Sequence, residues 1–328
     1  MTPVLNHTHT SETHAAAPAG PTVAIIGAPS GLGAPTPGQE AGPAALRAAG
    51  LAARLHAAHT LVVDWGDVVV PGPDPIAVPT ARNQDALAAL AGAVAARVGA
   101  ALDDGFLPLL LGGDHSVSLG AIRAAAARMP IGVLWFDAHG DFNTPETSPS
   151  GNVHGMVLAL LAGLGPAPLL DASEPLPGRR MAVLGARALD PGERKNLLQA
   201  GVGVYSAEAL RALGPAAAVE RAIAGLVAAG AERLYVSIDL DVLDPSIAPG
   251  VATRASSGLT LDEARAALQA VAHSGRVAAL DVTELFPARD RDGATARAAL
   301  SLVKAALSQP PLEALDWRRT QAGLRSSA

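Results

Sequence analysis

Residues 131–141 read IGVLWFDAHGD: six apolar residues, then Asp137, His139 and Asp141 at alternate positions. A continuous apolar run of this length suits a strand buried on both faces, as in a parallel sheet covered by helices on each side. Runs of the same kind recur at Thr22–Gly27, Thr60–Trp65, Phe106–Leu111, Met181–Gly185, Arg233–Ile238 and Val277–Val282. Between them lie alanine-rich helix candidates at Pro43–His56, Asp85–Asp103, Leu119–Arg128, Ala216–Ala229, Leu261–His273 and Ala294–Leu307. The fifth of these has a start signal, Thr260 as N-cap with Glu263 three residues on. Strand and helix in alternation predict the α/β class: a three-layer α/β/α sandwich with a mostly parallel central sheet and right-handed crossovers. No Pro/Gly/Ser linker divides the chain and no repeat of 20–50 residues runs through it. A single domain over 22–309 is therefore expected, between a disordered N-terminal tail at 1–21 and a C-terminal tail at 310–328. The first tail carries His7, His9 and His14, but a tail offers a metal no preorganised geometry.

Composition narrows the function classes. Of the 328 residues, 49% are hydrophobic and only 16% charged, which excludes a disordered chain. Aromatics are 3%, so the core must be aliphatic, and few rings are available to stack single-stranded bases. The balance of 24 Lys+Arg against 30 Asp+Glu gives −6, the wrong sign for a phosphate-backbone binder. With no cysteine, disulfides, thiolate metal sites and thiol nucleophiles are excluded, and a metal must be held by His, Asp or Glu. The first twenty residues lack a basic segment followed by an apolar run. The apolar stretch Gly155–Leu170 is broken by Gly163, Gly165, Pro166 and Pro168 and falls short of the roughly 20 residues a membrane span needs. The expectation is a cytoplasmic protein with neither nucleic-acid nor membrane partners.

Ligands of an open parallel sheet bind beyond the carboxyl ends of its strands. Four runs end there in polar clusters: Asp114-His115-Ser116, Asp137/His139/Asp141, Asp239/Asp241 followed by Asp244, and Thr283-Glu284. Residues two apart in an extended segment point the same way, so the alternate-position clusters each face one point. A lone Asp after a strand is ordinarily a cap or turn former. Five Asp and two His at adjacent strand ends would instead repel one another unless cations neutralise them. Two divalent ions are the economical answer. Oxygen and imidazole ligands without sulfur suit Mn²⁺, and a two-metal site can activate water at neutral pH. The polar loop from Asp141 to Met156 offers Asn143, Ser148, Ser150 and Asn152 as neutral hydrogen-bonding groups suited to an amino-acid head group, and His154 as a proton carrier. Glu284 could pair bidentately with a guanidinium.

On these residues the chain resembles the ureohydrolase superfamily and, within it, the arginases. The resemblance spans Thr22 to about Leu307 and rests on IIGAPSGLGAPTPGQEAGPAALRAAGL, GGDHS, DAHGDFNTPETSPSGNVHGM, GARALDPGE, SIDLDVLDPSIAPG and DVTELFP. It implies the arginase-like fold and hydrolysis of L-arginine to L-ornithine and urea. It assigns His115, Asp137, Asp141 and Asp239 to one manganese and His139, Asp137, Asp239 and Asp241 to the other, with Asp137 and Asp239 bridging. It places Asn143, Ser150 and Asn152 on the substrate α-carboxylate and Asp190 on the α-amino group, with Glu193 nearby and Thr253 also at the substrate. Glu284 would hold the guanidinium, and Asp141 or His154 would relay a proton. A homotrimer or homohexamer is implied. The chain departs from the family pattern at Val251–Arg254, where Gly-Thr-Gly-Thr-Pro is common, and at Leu285-Phe286, where the last motif usually ends in Asn. Agmatine or another guanidino acid is the alternative substrate, and a non-catalytic metal-binding regulatory subunit the alternative of another class.

Overall fold

The computed structural model describes residues 22–58, 60–171 and 174–308. The expected tails, 1–21 with His7, His9 and His14 and 310–328, lie outside the described residues. Eight strands form one sheet: β1 (Val23–Ala28), β2 (Val62–Asp67), β3 (Leu107–Gly112), β4 (Ile131–Phe136), β5 (Met181–Ala186), β6 (Gly203–Ser206), β7 (Arg233–Asp239) and β8 (Val277–Thr283). Their order is β2-β1-β3-β8-β7-β4-β5-β6, and every described pairing is parallel.

Period-two alternation sends successive side chains to two separate cores. Val23 and Ile25 of β1, with Leu134 and Phe136 of β4, face one core. Ala24 and Ile26, with Ile131, Val133 and Trp135, face the other. The first core is closed by α1 (Gly42–Ala48), α2 (Leu51–His56), α7 (Ala207–Leu213), α8 (Pro215–Ala228), α9 (Leu261–His273) and α10 (Ala294–Leu307). The second is closed by α3 (Gln84–Asp103), α4 (Ser118–Ala126), α5 (Val157–Leu161) and α6 (Pro191–Ala200). Burying each such leucine, valine or phenylalanine contributes about 1.5–3 kcal/mol relative to leaving it in water, which compensates for the scarcity of aromatics.

Three differences from the sequence reading have local causes. The expected helix Pro43–His56 is two helices, because Gly50 adopts φ 87° between them. Strand β6 and helices α5, α6 and α7 were not anticipated: β6 is a four-residue edge strand, and α6 carries Lys, Arg, Asn and Gln around a short apolar stripe. Gly155–Leu170 is also not the segment best suited in length to a membrane. Among the described residues α3 alone is long and apolar enough, and half of it is buried. Its buried Leu87, Leu90, Val94, Val98 and Ala101 recur every three or four residues, the spacing of a helix laid on a sheet. Helix α9 begins as expected, with reciprocal capping between Thr260 and Glu263.

Strand order is what assembles the site. β3, β8, β7 and β4 are neighbours although their sequences lie far apart. Their registers are level: Leu111 pairs Val282, Val282 pairs Ile238, and Ile238 pairs Phe136. The clusters at 113–115, 284, 239–241 and 137–141 therefore leave the sheet side by side.

Candidate active site

Each site residue is aimed by its local backbone. Gly113 follows β3 where a Cβ would lie 1.8 Å from the Ser30 carbonyl oxygen, so only glycine fits. The carboxylate of Asp114 then accepts from the amides of Ser116 (2.9 Å) and Gly33 (3.1 Å), turning His115 inward. After β4, Asp137 accepts from the His139 amide at 2.6 Å, and Asp141 adopts φ 46°. After β7, Asp239 Oδ1 accepts from the Asp241 amide at 2.7 Å.

These turns converge on two ligand sets that share Asp137. His115 Nδ1 lies 3.3 Å from Asp137 Oδ2, 3.2 Å from Asp141 Oδ2 and 3.2 Å from Asp239 Oδ2. His139 Nδ1 lies 3.3 Å from Asp137 Oδ1 and 3.0 Å from Asp241 Oδ2. The first two carboxylates with His115, and Asp137 with His139 and Asp241, each bring their ligand atoms within 4.8 Å of one another. Asp137 gives one oxygen to each set. Asp239 offers Oδ2 to the first, and only Asp137 has a carboxylate oxygen close to each of the two histidines.

The cluster fits a cation. His115 Nε2 is 2.7 Å from Ser237 Oγ, and Ser237 donates its own hydrogen to Asp281 Oδ1 at 2.6 Å. Ser237 must therefore accept from His115, and the neutral ring carries its proton on Nε2. That leaves Nδ1 fully buried, without a hydrogen-bond partner, and facing three carboxylates. In that neutral form a lone pair is turned toward acceptors, which is repulsive unless a proton or a metal cation lies between them. Ligands sharing an octahedral ion with bonds of about 2.1 Å sit about 3 Å apart, close to the spacings seen. Trp135 reinforces the arrangement, stacking on His115 (centroids 3.8 Å apart, planes at 10°) and donating to Asp137 Oδ2 at 2.8 Å.

Electrostatics agree. Burial opposes charge on His115 and His139, but the surrounding carboxylates lift both toward the protonated form. Burial and neighbouring carboxylates push Asp239 and Asp241 up, and burial with the charge of Asp137 lifts Asp141 to about 6. Asp137 is desolvated too, yet the two histidines beside it hold it well below the usual carboxylate range. In the bare cluster protons neutralise the carboxylates, and a divalent ion would displace them.

A cavity opens onto this cluster. It is lined by His139, Asp141, Asp239 and Asp241 of the cluster together with Asn143, Ser148, Ser150, Ala188, Asp190, Glu193 and Thr253, and by His154. Asn143 Nδ2 donates to Asp190 Oδ2 at 2.9 Å and its oxygen accepts from Thr147 Oγ1 at 3.0 Å, which fixes its amide. Burial lifts Glu193 to about 8, although its carboxylate accepts from the Phe142 and Asp190 amides.

Two expected substrate contacts stand elsewhere. Asn152 is off the cavity wall, its oxygen accepting from Arg82 Nη1 at 3.1 Å. Glu284, at φ 66°, is also off it. Its Oε1 accepts from the His115 amide (2.9 Å) and from His154 Nδ1 (3.0 Å), and its Oε2 accepts from Gln39 Nε2 (3.2 Å). Three of roughly four acceptor positions are filled, so the bidentate pairing expected of this carboxylate is not open in this arrangement. Burial disfavours charge on His154, but Glu284, followed by Asp141 and Asp114, lifts it to about 9.

Residues 21–308 match the model of the arginase family. The chain belongs to the arginase family. An arginase of Staphylococcus aureus (strain COL) is 36% identical over 285 residues, covering 85% of this chain and 94% of that protein. The solved arginase of Bacillus caldovelox superposes with a TM-score of 0.82 at 34% identity, over 88% of this chain and 99% of that one. A structure titled as a hypothetical agmatinase from Burkholderia thailandensis is less similar: TM-score 0.68 and 25% identity, over 93% and 88% of the two chains. Within this arginase-family site, sequence reasoning passed over Trp135, Tyr235, Ser237 and Asp281. Tyr235 donates to Asp281 Oδ2 at 2.7 Å, completing a buried chain to His115. The available signal was polar residues inside strands buried on both faces, since 235, 237 and 239 share one side of β7.

Proposed function

We propose that this chain hydrolyses L-arginine to L-ornithine and urea, with two Mn²⁺ per subunit. The observation that carries the reading is the pair of His–carboxylate sets sharing Asp137 at a cavity that Asn143, Ser148, Ser150 and Asp190 also line. His115, Asp137, Asp141 and Asp239 would hold one ion, and His139, Asp137, Asp239 and Asp241 the other. Such a pair would supply a water activated at neutral pH and would stabilise, as Lewis acids, the oxygen that adds to the guanidinium carbon.

The remaining roles fall to the chain's own groups. Asn143, Ser148 and Ser150 face the cavity with neutral dipoles for the α-carboxylate, and Asp190 offers a carboxylate for the α-amino group. Asn152 supports that loop through Arg82. Glu193, buried beside Asp190, holds the backbone at Phe142 and Asp190, and Thr253 also lines the cavity. Glu284 acts on the cationic guanidinium through its charge and through His154, which it orients. His154 is protonated at neutral pH and can give its proton to the amine released when the bond from the guanidinium carbon to the side-chain nitrogen breaks. Asp141 is the alternative proton carrier.

Agmatine lacks the carboxylate that the Asn143–Ser150 wall would bind, so Asn143 and Ser150 favour arginine. All six ligand positions, His154 and Glu284 are present, which favours an enzyme over a non-catalytic metal-binding subunit. The test is urea release from L-arginine and from agmatine, each with Mn²⁺ or with chelator. Manganese-dependent urea from arginine alone is expected; urea from agmatine alone would overturn the substrate. A homotrimer or homohexamer in the cytoplasm belongs to the same proposal on family resemblance, to be checked by light scattering and fractionation.

A further inference from the structure

Arg187 leaves the end of β5 and turns its guanidinium away from the cavity. It donates only to main-chain carbonyls: Nε to Ser256 (3.0 Å), Nη1 to Gly185 (3.1 Å) and Val242 (3.3 Å), and Nη2 to Asp241 (2.6 Å), Ala255 (2.9 Å) and Leu243 (3.3 Å). All five N–H groups are engaged, so the side chain has no capacity left to read an anionic substrate. Its own amide donates to the Ala138 carbonyl at 2.8 Å, and the Ala188 amide donates to the same oxygen at 3.0 Å. Ala138 sits between the ligands Asp137 and His139, and its amide donates to Asp241 Oδ1 at 3.1 Å. On the other side of the clamp, Ala188, Asp190 and Thr253 line the cavity. One residue thus ties the His139/Asp241 ligand set to the segments that carry Ala188 and Thr253 of the cavity lining.

We propose that Arg187 is a positioning residue that couples head-group binding to metal affinity at the His139/Asp241 set. A ligand that orders the 253–256 loop then fixes the Asp241 turn through the guanidinium fork, and by linkage the metal tightens the head group by the same factor. The inference rests on the arginine reading for its choice of ligand.

The test uses the Mn²⁺-loaded protein and L-norvaline, which has an amino-acid head group but an apolar side chain unable to ligate a metal. Equilibrium Mn²⁺ affinity is measured by chelator competition, with and without L-norvaline, in the wild type, Arg187→Lys and Arg187→Met. About a tenfold gain in affinity is expected in the wild type. Less than about twofold is expected in the variants, since neither a lysine ammonium nor a thioether spans three segments. Variants that keep the wild-type gain overturn the proposal, as does a wild type with none. Should neither variant fold, hydrogen exchange of the wild type decides. Norvaline must protect 241–243 together with 253–256, and protection of the loop alone refutes the coupling. Urea release from arginine is read alongside: activity without coupling removes Arg187's role only, whereas no activity and no norvaline effect remove both readings.

Discussion

Replacing Ser237 by alanine should weaken metal binding without touching a ligand. The hydroxyl stands between His115 Nε2 (2.7 Å) and Asp281 Oδ1 (2.6 Å), and all three residues are fully buried. Its loss leaves the imidazole N–H without an acceptor and removes one of two donors to Asp281, the other being the Tyr235 hydroxyl. A hydrogen bond to a charged group contributes about 1.5–3 kcal/mol, and an orphaned buried donor costs about 1–3 kcal/mol. Partners behind a metal-bound histidine are worth about 10–100-fold in metal affinity, which is about 1.4–2.8 kcal/mol and so of the same size. The assay is Mn²⁺ titration of chelator-stripped protein by calorimetry, with circular dichroism to show that the fold persists. Tyr235→Phe removes only the outer donor and should lose less. A folded Ser237→Ala protein that binds Mn²⁺ within about threefold of wild type would falsify the relay and with it the assigned proton on Nε2.

Chelation should abolish urea release and lower Tm, with Mn²⁺ restoring both; an ion at 100 times its Kd stabilises by about 2.7 kcal/mol. Mn²⁺ affinity should fall with pH, steeply below about 6 where Asp141 gains its proton, because protons and metal compete for the same oxygens; calorimetric titrations at pH 5, 6 and 7 that coincide would contradict this. Glu284→Gln should cut kcat/KM for arginine about 10–150-fold. It should also lower the pKa of His154, since Glu284 is the chief group raising it, and an NMR titration of His154 still centred near 9 would disprove that cause. Gly113→Ala should cost about 3 kcal/mol or more through the collision with Ser30, and an unchanged Tm would show that the turn can relax.

What could be read from the sequence follows from which interactions carry side-chain identity. The doubly buried strands announce themselves as apolar runs, and β4 has the expected bounds, Ile131–Phe136. The metal cluster was legible because alternate-position carboxylates at strand ends are physically unreasonable without a cation. By contrast β6 has four residues, with Val204 42% exposed, and too little buried surface to leave a pattern. Arg187 was illegible for a different reason. Its partners are carbonyl oxygens of Gly185, Val242 and Ala255, and a carbonyl is the same in every residue. The position of Glu284 was half legible: its strand end was evident, but the partners filling its oxygens come from Gln39 and His154, which no local pattern connects to it.

Those partners also explain one of the chain's departures from its family. Gly38 adopts φ 142°, and a Cβ there would lie 2.1 Å from the Phe286 ring, so the ring closes directly over this glycine. Arg289 covers the same ring at 4.5 Å. Packed in this way, the turn at Gly38 starts a short 3-10 helix whose first residue, Gln39, is fully buried with its amide on Glu284 Oε2. The flip that would turn Gln39 Oε1 toward that carboxylate sets acceptor against acceptor, so the donor orientation is dictated by Glu284. Phe286 and Gln39 therefore act as one unit behind Glu284. The aromatic sets the turn and the amide occupies one carboxylate oxygen of Glu284. The departure at Leu285-Phe286 therefore bears on which oxygens of Glu284 are left open. It leaves the metal ligands alone, because those arise from β3, β4 and β7 and are oriented by Trp135, Ser237 and the turns at 114, 137 and 239.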